Sequence, residues 1–367
     1  MTNKVKILSN CLLYAALLFT GCGPKDNIPS DESAQYPAGQ NVYVAGTQNV
    51  QSNTVARLWK NGAIQNLAGS SGSALRSSTT DSICGSIAKS VFVSGNDVYV
   101  AGYDVFWNGF YAYSKARLWK NGVSQNLDAN TFSDEATAVF VSDSNVYVAG
   151  FETPPLGGCT LKVWKNGVVQ IFTQDINVVE VNSLFVSGGD VYVAGGIGSG
   201  NGTNAKLWKN GILQNIEISA NHSDAYSVFV SGSDVYVAGY DQNAEGNATY
   251  ARLWKNGVAQ NLAGGAAFSV YVSGSDVYVA GKSDSAKLWK NGIVQSIADD
   301  SKAMLYYSVY VSGNDVYLAG YVDATDEIYS NGLEVHHMQA TLWKNGKILN
   351  LDIDKNSDSQ AYSIFVK

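Results

Sequence analysis

Histidine, the most versatile general base and metal ligand, occurs only three times in 367 residues, as His222, His336 and His337. The last two are adjacent within 321–340, with Glu334 close by, and invite a metal or acid–base reading. Neighbours on an extended chain point to opposite sides, so the two imidazoles are poorly placed to share one ion. We expect a solvated pair and keep His336 and His337 as candidate ligand contacts. Asp352, Asp354, Asn356 and Asp358 alternate in DIDKNSD, as the oxygens of a calcium loop do. No glycine stands sixth and no glutamate twelfth from Asp352, so no metal is expected. Asp104, Glu152, Asp241, Glu245, Asp323 and Glu327 could supply the carboxylate pair of a glycosidase, whose separation a sequence does not reveal. No Ser-His-Asp or Cys-His set announces itself. GGIGSGNG at 195–202 lacks the G-x-G-x-x-G spacing and precedes a strand rather than a helix, so no phosphate cradle and no cofactor are expected. The richest segment is YDVFWNGFYAYSK (103–115), with Phe106, Trp107, Phe110, Tyr111 and Tyr113. Exposed aromatic faces on a loop suit stacking on sugar rings or anchoring a protein; the alternative is that they pack the loop onto its neighbours. Trp107 is the one Trp outside the repeat described next and is the first choice as a ligand contact.

The elements that would position these residues are written repeatedly. Trp-Lys-Asn-Gly begins at Trp59, Trp119, Trp164, Trp208, Trp254, Trp289 and Trp343. Asn-Gly is the preferred pair of a type I′ turn, so each copy predicts a tight hairpin. A second module alternates with it: SVFVSGNDVYVAG (90–102) returns at 138–150, 183–195, 227–239, 269–281 and 308–320. Two runs of β-branched and aromatic residues around a Ser-Gly-x-Asp turn predict another hairpin. One unit is therefore four antiparallel strands, a propeller blade. The Trp of each copy is expected in the core, and the Lys beside it on solvated turn surface.

The chain enters this pattern at NVYVAG (41–46), without a first strand, and ends at AYSIFVK (361–367), a first strand with nothing after it. The expected fold is an all-β, seven-bladed β-propeller with four antiparallel strands per blade, its ring closed by the C-terminal strand joining the N-terminal blade and removing both open edges. The order of hairpins over 41–366 resembles NHL and related bacterial β-propeller repeats, which implies the fold and no activity. In such a blade both hairpin turns lie at one end, so the sizeable insertions at 68–89, 103–115 and 321–340 are expected as loops at the other. That face is where ligands of repeat proteins bind. Near-identical blades leave few positions specialised for chemistry.

The first forty residues read differently. Lys4 and Lys6 precede the apolar run ILSNCLLYAALLF, and TGCGPKDN follows, the layout of an export signal too short for a comfortable membrane span. LFTGC resembles the bacterial lipobox, which implies lipidation of Cys22 and cleavage before it. GPKDN after it is similar to surface-export signals of Bacteroidota lipoproteins. The expected domains are a signal peptide (1–21), a tether (22–40) and the propeller (41–367). The chain would then be held to the membrane through Cys22, in the cell envelope, at the outer membrane and its surface. An exported protein permits a disulfide between Cys84 and Cys159; two thiols are equally allowed.

The formal charge is −7 and becomes −9 once 1–21, with Lys4 and Lys6 and no acid, are removed. An acidic surface repels phosphate backbones, so nucleic acid is excluded as a partner. The sequence points to a non-enzymatic lipoprotein presenting a binding face to glycan or envelope protein. Its alternatives are a polysaccharide-active enzyme using loop carboxylates and a structural subunit of an envelope assembly.

Overall fold

A computed structural model of the chain describes Tyr36 and residues 39–367, apart from 52, 70–81, 128–132, 155–157, 172–177, 200–201, 219–221, 244, 247, 298–302, 329–333, 350 and 355. The predicted signal peptide, Cys22 and most of the tether lie outside the described residues, as does much of the segment 68–89. Among the described residues no helix is long and apolar enough to cross a membrane.

The described residues are all-β, in repeated four-stranded antiparallel sheets of the β-propeller type. Five sheets have four strands; a sixth has eight, in two groups of four joined by the single parallel bridge of Thr54 and Gly85. Each unit is named here by the Trp on its third strand. The first strands are Ser359–Val366 for the Trp59 unit, then Ser82–Ser94, Asp134–Ser142, Val178–Ser187, Ser223–Ser231, Ala266–Ser273 and Ala303–Ser312. Ser359–Val366 pairs antiparallel with Val42–Val50, from Val42 opposite Val366 to Gln48 opposite Ser359. Beyond that ladder, Asn41 N donates to Lys367 O (2.6 Å) and Lys367 N to Asn41 O (2.9 Å).

The repeated residues form one device. Each Asn of Trp-Lys-Asn-Gly has φ between 49° and 52°, and the following Gly between 78° and 83°, the backbone of a type I′ turn. In the Trp119 unit the Asn121 side chain also braces the adjoining hairpin. Val98 N donates to Asn121 Oδ1 (2.8 Å), and Asn121 Nδ2 donates to Asp97 Oδ1 (2.7 Å). Lys120 pairs with Asp97 Oδ2 (2.8 Å) and lies 5.4 Å from the Tyr99 ring centroid. The same Lys–Asp pair recurs at Lys209–Asp190, Lys255–Asp234, Lys290–Asp276 and Lys344–Asp315. The repeated Lys lies on solvated turn surface, as the sequence suggested, and in these five units it also joins the two hairpin turns of its sheet.

Every repeat Trp is fully buried between its own sheet and the preceding one. Trp119 packs with Tyr43, Ala45, Leu58 and Leu67 of the Trp59 unit and with Val91, Val93 and Val100 of its own, and its Nε1 donates to Ala68 O (2.9 Å). Trp59 in turn packs against Tyr317, Ala319, Leu342 and Leu349 of the Trp343 unit, donating to Asp352 O (2.8 Å). Full burial of one such ring stabilises by about 2–3 kcal/mol.

First strands touch in sequence order. Phe92, Phe140, Phe185, Phe229, Tyr271, Tyr310 and Phe365 follow one another with centroids 4.6–5.1 Å apart, and Phe365 lies 4.8 Å from Phe92. One layer away, serine hydroxyls on first strands accept from the next strand's backbone: Val91 N to Ser363 Oγ (3.1 Å), Val139 N to Ser90 Oγ (3.2 Å), Val228 N to Ser183 Oγ (3.1 Å). The expected loops 103–115 and 321–340 are largely strand. Asp97–Trp107 and Ala112–Lys120 extend their ladder to Trp107 opposite Ala112, and Asp315–Ile328 pairs with Glu334–Lys344 out to Ile328 opposite Glu334.

If the Asn turn braces both hairpins, Asn121→Ala should destabilise by about 1–2 kcal/mol from left-handed backbone strain alone, with the lost hydrogen bonds added. Asn121→Gly should remove the strain and lose only the bonds. Denaturant midpoints that place the two variants together would refute this account.

Candidate functional site

The functional position arises from an irregularity. Each first strand carries an extra residue against its partner at the same place in the repeat: register shifts between Ala88 and Ser90, Ala136 and Ala138, Val181 and Ser183, Ala225 and Ser227, Ala267 and Ser269, and Tyr306 and Ser308. In the Trp59 unit the skipped residue is Tyr362. The repeated Gly of VYVAG makes this bulge possible. A Cβ on Gly102 would lie 1.9 Å from Ile87 O, and one on Gly239 the same distance from Asp224 O. Bulges re-aim side chains out of the ladder pattern, and here the re-aimed residues are Lys89, Thr137, Asn182, Tyr226, Phe268, Tyr307 and Tyr362. All seven line one cavity of about 150 Å³, bounded below by the adjoining serines. Lys89, Thr137, Asn182 and Tyr226 also line a cavity of about 350 Å³ with Glu135, Phe151, Glu180 and Val181. Each bulge residue lies five residues before the last residue of its first strand's Val-Ser or Val-Lys end, back from the hairpin turn.

The lining is uneven. Tyr226 lies 4.9 Å from Phe268, Phe268 6.0 Å from Tyr307, and Tyr307 5.2 Å from Tyr362, so one side is an aromatic wall. Burial holds the Tyr226 and Tyr307 hydroxyls protonated, pushing both well above the ordinary phenol value. The other side carries Glu135 and Glu180. Glu135 Oε1 accepts from Ser114 Oγ (3.2 Å), and Glu180 Oε2 from Asn182 Nδ2 (3.2 Å). Burial pushes the Glu135 carboxyl up, against the opposing pull of Lys89 and of hydrogen bonds from Ser114 and Tyr103. Burial also raises Glu180, reinforced by the Asp224 charge and opposed by Asn182 and His222. His222 Nε2 lies 2.7 Å from Tyr240 Oη.

The candidates named from sequence are elsewhere. Phe106 and Tyr113 face each other across the ribbon, stacked at 5.4 Å. At its tip Phe110 is 89% exposed, Tyr111 44% and Trp107 36%; none of these five lines either cavity. His336 Nδ1 is 3.1 Å from Asp323 Oδ1, whereas His337 Nδ1 is 3.7 Å from Asp358 Oδ1, so the two rings turn to different carboxylates. Among the described residues no cluster of His, Cys, Asp or Glu could hold a metal ion. Asp354 Oδ1 accepts from Asn356 N (3.1 Å) and Asp358 Oδ1 from Met338 N (2.9 Å), a turn and a strand brace. Of the proposed loop acids, Asp104 pairs with Arg117 (2.5 Å), Glu152 with Lys162 (2.7 Å) and Asp241 with Arg252 (2.7 Å). Glu245 sits in an exposed turn, and the Glu327 side chain lies outside the described residues. The disulfide is corrected. Cys84 and Cys159 are both thiols; Cys84 Sγ donates to Val105 O (3.4 Å), and Cys159 Sγ lies 3.3 Å from Thr153 Oγ1.

The acids that reach the cavity, Glu135 and Glu180, and the bulge residues were missed. The signal was present: in xSVFVSG and its copies the residue before the repeated Ser or Ala reads Lys, Thr, Asn, Tyr, Phe, Tyr and Tyr while its neighbours hardly change.

No family model and no curated protein sequence matches the chain. Among solved structures it is similar to the computationally designed Ika4 protein, at 18% identity over 46% of this chain and 89% of that one, with a TM-score of 0.26. It is similar to the Pyrococcus horikoshii acylaminoacyl peptidase at 13% identity, over 74% of this chain and 46% of that one, with a TM-score of 0.45. The chain thus spans less than half the peptidase's length. A GH43_1 enzyme from Xanthomonas citri is 11% identical over 72% of this chain and 90% of that one, with a TM-score of 0.33. These likenesses carry no activity or ligand to this chain.

A carboxyl whose pKa is raised by folding contributes stability below its unfolded value, and loses it as pH rises through the folded one. Glu135→Gln and Glu180→Gln should therefore each raise the melting temperature at about pH 8 by about 1–2 °C. The gain should vanish towards 4.5, the ordinary value. A loss of stability at about pH 8 would refute this reading of both sites.

Proposed function

We propose that this chain is an envelope lipoprotein, anchored through Cys22, whose seven-bladed β-propeller holds a glycan in its axial cavity without transforming it. The observation that carries the reading is the contrast between repeated units and their unrepeated bulge residues. Units nearly identical in core and turns differ where they meet the cavity, with aromatic faces on one side and carboxylates and amides on the other. Apolar sugar faces stack on rings such as Tyr226 and Tyr307, while hydroxyls donate to Glu135 and Glu180. The volume of about 350 Å³ lies within the range of small-ligand sites. The exposed tip of the ribbon, with Trp107, Phe110 and Tyr111, emerges at the same end of the sheets and is a second contact for chains longer than the cavity.

Seven blades follow from counting the eight-stranded sheet as two. Closure is supported by the pairing of Val42–Val50 with Ser359–Val366, by the aromatic circuit returning to Phe92, and by Trp59 wedged against the Trp343 unit. A glycosidase is the second reading, favoured by two half-buried carboxyls with raised pKa in one cavity.

The full-length protein titrated with an oligosaccharide panel should retain one sugar class unchanged. Tyr226→Ala should weaken short and long oligomers roughly tenfold, the loss of a stacking contact, and Trp107→Ala only the long ones. Equal affinity in all three proteins would discard the site. New reducing ends that disappear in Glu135→Gln would make the protein an enzyme. Removing residues 359–367 should lower stability by several kcal/mol, roughly the burial of Ile364, Phe365 and Val366; an unchanged melting temperature would refute closure.

A further inference from the structure

Three acids away from the axis have a cation in direct contact: Asp104 with Arg117, Glu152 with Lys162, Asp241 with Arg252. The two acids at the axis do not. Glu135 and Glu180 accept hydrogen bonds from neutral side chains, and among the described residues no ion pair joins either one to Lys89, the cation that shares their cavity. Lys89 instead places Nζ 4.6 Å from the ring centroid of Tyr362, at the edge of the aromatic wall. Behind Glu180 lies Asp224, which is 3% exposed and has Oδ1 without a hydrogen-bond partner.

Carboxylates withdrawn from water without a cation in direct contact are costly to ionise; the pull of Lys89 offsets only part of that cost at Glu135, and a bound cation would offset more. The rest of the lining says which kind of cation. A bare metal ion needs several oxygens converging on one point, and no such cluster exists among the described residues. Aromatic faces beside carboxylates are instead the surroundings that hold an organic ammonium. Lys89 over Tyr362 shows an ammonium already resting on this wall.

We propose that the axial cavity selects a ligand bearing an ammonium group, set between Glu135, Glu180 and the Tyr226 face. Resting on the glycan reading above, that ligand is an amino sugar with a free amine. Lys89 is then an internal competitor, close enough to repel an incoming cation.

The full-length protein, at about physiological ionic strength to suppress loose surface attraction, is titrated with the glucosamine trimer, the N-acetylglucosamine trimer, cellotriose and trimethylammonium. The glucosamine trimer should bind roughly tenfold or more tightly than either neutral trimer, the scale of one charge-assisted contact. In Glu135→Gln/Glu180→Gln that preference should shrink to about twofold or less, with no fall in melting temperature. Lys89→Met should strengthen glucosamine binding several-fold, an effect that a purely structural lysine would not produce. A preference that survives in the double variant would assign it to the acidic outer surface and overturn the proposal. Neutral trimers binding as tightly as the charged one would overturn the proposal and leave the glycan reading standing. Trimethylammonium binding while none of the three trimers binds would keep the ammonium site and overturn the glycan reading. Silence from all four probes would overturn both.

Discussion

A four-stranded sheet with apolar residues on both faces has no way to bury them alone, and everything in this molecule follows from how that is met. Each sheet offers an indole at its third strand, and the preceding sheet offers the depression that takes it. Trp119 sits against Leu58 and Leu67 of the unit before it, and Trp59 against Leu342 and Leu349 of the Trp343 unit. The contact is the same at each step, so the sheets repeat one geometry, and first strands meet along a common line. Small alanines such as Ala45, Ala101 and Ala149, buried beside the rings, let the sheets approach closely enough for this packing. Stability of this kind is a sum of nearest-neighbour interfaces, which is why the chain repeats it so faithfully.

Hairpin turns hold each sheet in register without drawing on the core. Asn121 keeps its backbone left-handed and spends its side chain on the neighbouring turn, and Lys120 joins Asp97 beside Tyr99. Ion pairs this exposed contribute little stability. Their value lies in geometry: they fix one hairpin against the other at the end opposite the cavity. Hydrogen bonds from Lys120 and Asn121 hold the Asp97 carboxyl below its usual range, so the brace persists well into the acid range.

Much of this was legible in the sequence because its causes are local. Asn-Gly specifies a turn through two backbone angles, and alternation in DVYVAG specifies a strand through side-chain period. The missing first strand at Asn41 and the surplus one at Tyr362 pointed to the pairing that the structure shows. What was not legible depends on residues far apart in the chain. The ladder of 103–107 with 112–116 continues through an aromatic segment whose composition reads equally as loop. Whether a carboxylate has a cation is a matter of cross-strand placement, so Asp104 and Glu135 look alike in sequence and differ in the folded chain. The bulge is harder still: Gly102 and Lys89 are thirteen residues apart, and only the pairing of Gly102 with Ala88, which skips Lys89, reveals that one exists for the other.

The bulge also separates what the units must share from what they are free to vary. A residue in the regular ladder faces either the Trp-filled gap or the opposite packing face, and a change there disturbs an interface. The bulged residue faces neither. Lys89, Tyr226 and Phe268 differ in charge and volume, yet Val91, Val228 and Val270, two residues on, are buried alike. Serine latches on either side, such as Val270 N to Ser227 Oγ and Val309 N to Ser269 Oγ, hold the backbone whatever side chain the bulge carries. One column of the repeat can thus be rewritten residue by residue without refolding the sheets. An acidic side and an aromatic side can therefore coexist in the lining of one cavity, even though the scaffold that presents them is nearly uniform.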